Sequence, residues 1–200
     1  MPSPDKDGAW GVLGGSFDPV HNGHLNLVKN ICKKKSLDGV LFIPAYKHPL
    51  KKQAFRAPYA DRITMLKMAL AGHNRLQLCE IEKEQYLPGY TIDTLQALKN
   101  RFTRARFHFI IGSDLVGQLD SWHRAKELLN ETIFLAGSRP GSKMKKAGNK
   151  KNLEFVKIEE LDISATDIRA QIKAGATIAQ IGRLVPARVA EYIFEKGLYR

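Results

Sequence analysis

Apolar residues arrive along this chain in short compact runs, separated by longer stretches in which they recur at helical spacing. Residues 9–13 form an apolar run flanked by glycines, too short for a helix and suited to a buried strand. From 22 to 35 the apolar positions Leu25, Val28 and Ile31 or Cys32 fall three and four apart, which predicts a helix with one inward face. The alternation continues with strands over 39–43, 76–81, 106–111 and 132–136, and helices over 60–70, 91–100 and 121–129. In the 60–70 helix Ile63, Leu66 and Leu70 point inward. Strands joined through helices call for right-handed crossovers and a sheet covered on both faces, so the predicted class is α/β, a doubly wound, mostly parallel sheet.

After Ser138 the pattern stops. The sequence Arg139-Pro140-Gly141-Ser142 leads into a lysine-rich, apolar-poor stretch, which reads as a mobile basic loop over 141–152. A last strand is expected near 155–158, followed by helices after Ile163, the final one over 186–196 with Pro186 in its first turn. The organisation is one domain, 1–200: a core over 9–140, the basic loop, and a closing strand with a C-terminal helical tail over 153–200 that packs on the sheet.

Composition changes this picture little. A 44% hydrophobic chain of 200 residues can bury an ordinary core without staples, and Cys32 and Cys79 belong to no metal or disulfide spacing. The polar N-terminus has no apolar signal region, and no run is long enough to span a membrane, so the expected location is the cytoplasm. Charge adds more: a net +12 calls for an anionic partner. The excess gathers in Lys33–Lys35, Lys47–Lys52 and Lys143–Lys151, while the aromatic residues are scattered. A nucleic-acid face would interleave the two, so nucleic acid is not the expected partner.

The segment with chemistry is Gly14-Gly15-Ser16-Phe17-Asp18-Pro19-Val20-His21-Asn22-Gly23-His24. It follows the first strand and opens the first helix, where parallel sheets bind their ligands. Two glycines admit a phosphate to the backbone, and the free N–H groups of a helix start favour its charge. His21 and His24, three apart, can present both rings to one ligand. A zinc site is a poor alternative, because the pair lacks the Glu of H-E-x-x-H and a third ligand.

That string resembles the HxGH motif of the nucleotidyltransferase superfamily, which transfers AMP or CMP from a nucleoside triphosphate. Four further segments follow in order: Pro88-Gly89-Tyr90-Thr91-Ile92-Asp93-Thr94-Leu95; Ile111-Gly112-Ser113-Asp114 with Ser121-Trp122; Ile163 to Arg169; and Val185-Pro186 through Gly197-Leu198-Tyr199. Together they resemble the bacterial nicotinate-nucleotide adenylyltransferases over nearly the whole chain. The resemblance implies a Rossmann-like fold and transfer of AMP from ATP to nicotinate mononucleotide, with nicotinamide mononucleotide as the alternative acceptor. It assigns Gly14, Gly15, Ser16, Phe17, His21, His24, Gly112, Asp114, Ser164, Thr166 and Arg169 to ATP, with His21, His24 and Arg169 nearest the chemistry. Trp122, Tyr90 and Thr91 fall to the pyridine ring and its carboxylate; Lys47, His48 and Lys51, after the second strand, read either as contacts to the mononucleotide phosphate or as a solvated loop, and Arg139 is a further candidate phosphate contact. Read without it, Ser164 and Thr91 are helix caps and Trp122 is core. Mg2+ would accompany ATP, held mainly by phosphates and water, with no dedicated protein metal site. A homo-oligomer is left open. The chain departs from the family at Ala165, which replaces a serine, and in the order of residues over Lys47–Lys52.

Overall fold

The computed structural model describes residues 2–47, 55–138, 151–159 and 161–200. Its centre is a six-stranded, all-parallel sheet in the order β3-β2-β1-β4-β5-β6. The strands are β1 (Gly8–Gly15), β2 (Gly39–Pro44), β3 (Leu76–Leu78), β4 (Ala105–Gly112), β5 (Ile133–Ser138) and β6 (Leu153–Lys157). Helices α1 (Asn22–Lys34), α2 (Tyr59–Leu70), α3 (Ile81–Glu84), α4 (Thr91–Arg101) and α5 (Ala125–Glu131) lie between strands, and a 3-10 segment, Ser113–Ser121, follows β4. Helices α6 (Ala165–Lys173), α7 (Ile178–Ile181) and α8 (Ala187–Glu195) close the chain. The doubly wound class predicted from periodicity is the one observed.

Strand side chains alternate between two cores, as the period of two requires. Leu13, Val40, Phe42, Ile110 and Leu135 face α1, α2, α6 and α8; Val12, Leu41, Ile43, Phe109 and Phe134 face α4 and α5. Burial on both sides explains why these strands read as continuous apolar runs. The C-terminal helices join the first of the two layers, with Tyr192 on α8 donating to Asp61 on α2 at 2.7 Å.

Boundaries shift where tertiary packing intervenes. β1 continues through Gly14 and Gly15, expected as a turn, because it pairs with β2 as far as Gly15↔Pro44. The strand expected over 76–81 ends at Leu78, and Ile81 instead starts α3 with its side chain fully buried against the second core. The helix expected over 121–129 is broken: Trp122 is extended and Arg124 is left-handed (φ 53°), so α5 starts only at Ala125. The break lets the Trp122 ring pack edge-on to Phe109 and Phe134. Most of the basic loop expected over 141–152 lies outside the described residues; Asn152 within it caps α5 through the Leu129 and Asn130 carbonyls.

The sheet also explains where a ligand can enter. β1 and β4 are the neighbours whose following helices, α1 and the segment after β4, leave toward opposite faces. Their ladder stops at Val12↔Phe109, although β1 stays paired to β2 as far as Gly15 and β4 stays paired to β5 as far as Gly112. The two strands therefore part at their carboxyl ends, and a crevice opens at the topological switch point.

Candidate active site

That crevice is a cleft of about 1220 Å³. One wall carries the end of β1 and the start of α1, with Gly14, Gly15, Ser16, His21 and His24; the other carries Gly112, Asp114 and Trp122. Thr91 and Ser164 line the cleft as well. Residues drawn from four separate segments thus meet in one cavity.

His21 is the N-cap of α1 and His24 lies in its first turn. Their rings stack at 3.6 Å between centroids, and His24 Nδ1 accepts the backbone N–H of His21 at 3.2 Å. An Nδ1 that accepts must be unprotonated, so the neutral His24 ring carries its proton on Nε2 as a donor. Phe17 meets the same ring edge-on at 5.1 Å and fixes its plane. The Nδ1 of His21 is buried without a partner among the described residues. Burial lowers the His21 pKa to about 4; burial, and then the charge of His21, lowers that of His24 well below the ordinary value. Both rings are thus neutral donors at neutral pH, shaped for an anion rather than already charged.

This has a measurable consequence. Between about pH 6.5 and 4 the unfolded chain binds protons on these histidines that the folded chain refuses, so stability falls as pH falls. His21 alone should account for a loss on the order of 3 kcal/mol across that window. Urea unfolding at several pH values should show a shallower acid dependence in His21→Asn than in wild type; parallel profiles would mean that the acid sensitivity arises from other groups.

The motif turn is held from below by buried side chains acting as supports. Phe17, left-handed at φ 47°, is 1% exposed, so its side chain anchors the turn in the core and does not face the cleft. The Asp18 carboxylate is buried and accepts from the N–H groups of Arg56 (2.6 Å) and Ala57 (3.1 Å) and from the Tyr199 hydroxyl (2.7 Å). Arg62, buried on α2, donates to the carbonyls of Ser16 (2.7 Å) and Ala45 (2.9 Å). Its one sequence signal is a cation beside the apolar stripe of α2. Asp18 and Tyr199 fall inside family motifs, but the resemblance gives them no role.

The remaining expected residues divide. Ser164 does cap α6: its hydroxyl accepts the Asp167 N–H at 3.1 Å and donates to the Asp167 carboxylate at 2.6 Å. Arg169 reaches back to the Asp18 carbonyl (2.8 Å) and the Thr166 hydroxyl (3.1 Å), and neither Arg169 nor Thr166 lines the cleft. A Cβ on Gly112 would collide with the Asp114 carboxylate, which folds back over that strand end. Tyr90, not Thr91, is the N-cap of α4, and its ring stacks on His123 at 4.1 Å. Thr91 is the first helical residue, where N–H groups lack intrahelical partners. Trp122 is half-buried, serving the core through Phe109 and Phe134 while lining the cleft. Lys47 is exposed, with Nζ 5.8 Å from the Tyr46 ring. His48, Lys51 and Arg139 lie outside the described residues. Among the described residues no group of three or more His, Cys, Asp or Glu is placed to hold a metal, and no helix is long and apolar enough to cross a membrane.

Comparison with known proteins agrees with this geometry. The cytidylyltransferase-like family model matches residues 12–171. The nicotinate-nucleotide adenylyltransferase of Bacillus subtilis is 34% identical over 189 residues, covering 94% of this chain and 97% of that protein. A solved structure of the Plasmodium falciparum nicotinic acid mononucleotide adenylyltransferase, complexed with NaAD, superposes with a TM-score of 0.80 over 96% of this chain and 97% of that one, at 20% identity, and so shares the fold. With the HxGH turn, the parted strands and this full-length likeness together, the chain belongs to the cytidylyltransferase-like family, among its nicotinate-nucleotide adenylyltransferases.

Proposed function

We propose that the protein transfers AMP from ATP to nicotinate mononucleotide, giving deamido-NAD and pyrophosphate in NAD biosynthesis. The observation that carries this is the single cleft at the β1–β4 parting, which joins an anion-ready helix start to an aromatic pocket with a second helix start, that of α4. A triphosphate suits the first half. A pyridine ring bearing a carboxylate suits the second, over the Trp122 face and beside the Thr91 N–H.

The 5′-phosphate oxygen of the mononucleotide attacks the α-phosphorus of ATP in line; a new P–O bond forms as the bond to pyrophosphate breaks. The attacking phosphate is already ionised, so no protein nucleophile or base is needed. Holding both substrates in one cleft supplies most of the acceleration, on the order of 7–11 kcal/mol, and donors aimed at the developing charge add about 3 kcal/mol each. The donors are His24 Nε2–H and the N–H groups of the α1 start. Arg169 acts behind them, holding the turn through the Asp18 carbonyl. Ser16, Ser164, Gly112 and Asp114 border the ATP, and the basic residues Lys47, Lys51 and Arg139 are assigned to the mononucleotide phosphate. Mg2+ would accompany ATP and offset the charge of its triphosphate, with no residue of the protein assigned to hold it. ATP as donor assigns the reaction to the cytoplasm.

A pyrophosphate-release assay with ATP and a panel of acceptors tests the reading: turnover with nicotinate mononucleotide well above that with the nicotinamide form is expected, and equal or reversed preference contradicts the acceptor. Trp122→Ala should raise KM for the mononucleotide about tenfold or more and cost about 3 kcal/mol of stability, because the ring also packs on Phe109 and Phe134. An unchanged KM in the folded variant would remove Trp122 from the acceptor pocket.

A further inference from the structure

Glu82 has no place in any motif, yet its carboxylate is buried at 6% exposure on the wall of the cleft. It sits on α3, which Ile81 anchors in the core. Its two oxygens have separate partners: Oε1 accepts from the Thr94 hydroxyl at 2.8 Å and Oε2 from the Tyr46 N–H at 3.1 Å. Burial raises the Glu82 pKa, while the bonds from Thr94 and Tyr46 and the charge of Arg62 oppose that rise. A buried carboxylate is tolerated when such partners meet it.

Those partners belong to different elements. Tyr46 lies two residues past the end of β2, next to Lys47. Thr94 lies in the first turn of α4, and its hydroxyl is also 3.2 Å from the Tyr90 carbonyl at the helix cap. Ala45, Glu82, Thr91 and Thr94 all line the cleft. The loop after β2 is further fixed by Ala45 N–H to the Gly15 carbonyl and by Arg62 to the Ala45 carbonyl. Glu82 is thus the bridge between that loop and the α4 start.

We infer that Glu82 is a positioning residue for the acceptor: its carboxylate sets the spacing between the loop after β2 and the N-terminus of α4, and thereby the affinity for the mononucleotide. This rests on the proposed reaction with nicotinate mononucleotide. Because the partners of Glu82, Tyr46 and Thr94, both lie outside the α1 start, the bridge governs acceptor binding and leaves ATP binding and turnover alone. The bridge also depends on hydrogen bonding rather than on charge. A glutamine can replace it, with its carbonyl accepting from Tyr46 and its amide donating to the Thr94 oxygen, whose own proton then turns to the Tyr90 carbonyl.

Steady-state pyrophosphate release decides the matter, with circular dichroism and thermal melting as controls for folding. Glu82→Ala should raise KM for nicotinate mononucleotide about tenfold, with kcat and KM for ATP within about twofold of wild type. Glu82→Gln should stay within about threefold of wild type. Thr94→Val should shift the mononucleotide KM in the same direction as Glu82→Ala, and the double variant should be no worse than Glu82→Ala alone, since both remove one bridge. If Glu82→Ala does not fold, Glu82→Gln and Thr94→Val carry the test by themselves. Unchanged mononucleotide KM in Glu82→Ala and Thr94→Val, a parallel rise in both KM values, or a glutamine variant as impaired as alanine would each overturn the inference while leaving the reaction standing. Wild-type protein that releases no pyrophosphate with any pyridine mononucleotide would overturn the reaction and this inference together.

Discussion

Replacing His24 by alanine is expected to lower kcat by about 10²-fold while KM for ATP changes far less. The imidazole is held on three sides: its Nδ1 by the His21 N–H, its face by the His21 ring and its edge by Phe17. A ring so fixed offers Nε2–H without reorganisation, which is the condition under which a donor stabilises developing charge best. The fold loses one cap bond, about 1 kcal/mol, so the variant should remain folded. Single-turnover and steady-state rates on purified His24→Ala, with circular dichroism as control, check this. Turnover near wild type would show that the charge is met elsewhere.

Arg62→Met is expected to have the second largest effect, on stability and ATP binding together. The guanidinium is buried at 1% exposure, bonds to the Ser16 and Ala45 carbonyls, stacks on Phe55 at 4.0 Å, and lies in the field of Asp18 and Glu82. Methionine fills much of the volume but leaves two carbonyls without donors and two buried carboxylates without a counter-charge. Losing one partner of such a buried set costs about 3–5 kcal/mol, which for a chain of this size lowers Tm by roughly 10 °C. Because Ser16 is one of the released carbonyls, KM for ATP should rise as well. Thermal unfolding and ATP titration test both parts; a variant as stable as wild type would mean that the network around Asp18 is self-sufficient.

The contrast between these residues separates what is legible in sequence from what is not. His24 stands in an eleven-residue string whose glycines, histidines and position after a strand each have a local reason. Arg62 has only its place beside an apolar stripe, a position that an exposed arginine could equally occupy. Glu82 gives no signal: it stands between Glu80 and Glu84 in a charged run, and only the packing of Ile81 turns it inward. Arg169, expected at the phosphates, is bound instead to the Asp18 carbonyl, 151 positions away, where it supports the turn that carries the histidines. Trp122 reads in sequence as either pyridine platform or core, and the broken helix around it lets one ring line the cleft and pack in the core.

Periodicity alone determined the alternation of strands and helices and the doubly wound class, because side-chain spacing on strands and helices is a local property. The HxGH string likewise marked its own place, since a strand, a glycine turn and a helix start are contiguous in the chain. Tertiary structure decided the rest: the parting of β1 and β4 that makes the cleft, the ends of β3 and α5, and the supports at Arg62, Asp18, Tyr199 and Glu82. Those depend on partners between 12 and 181 positions apart. A polar group becomes a support only when burial removes its water and leaves a distant hydrogen bond as the remaining way to satisfy it.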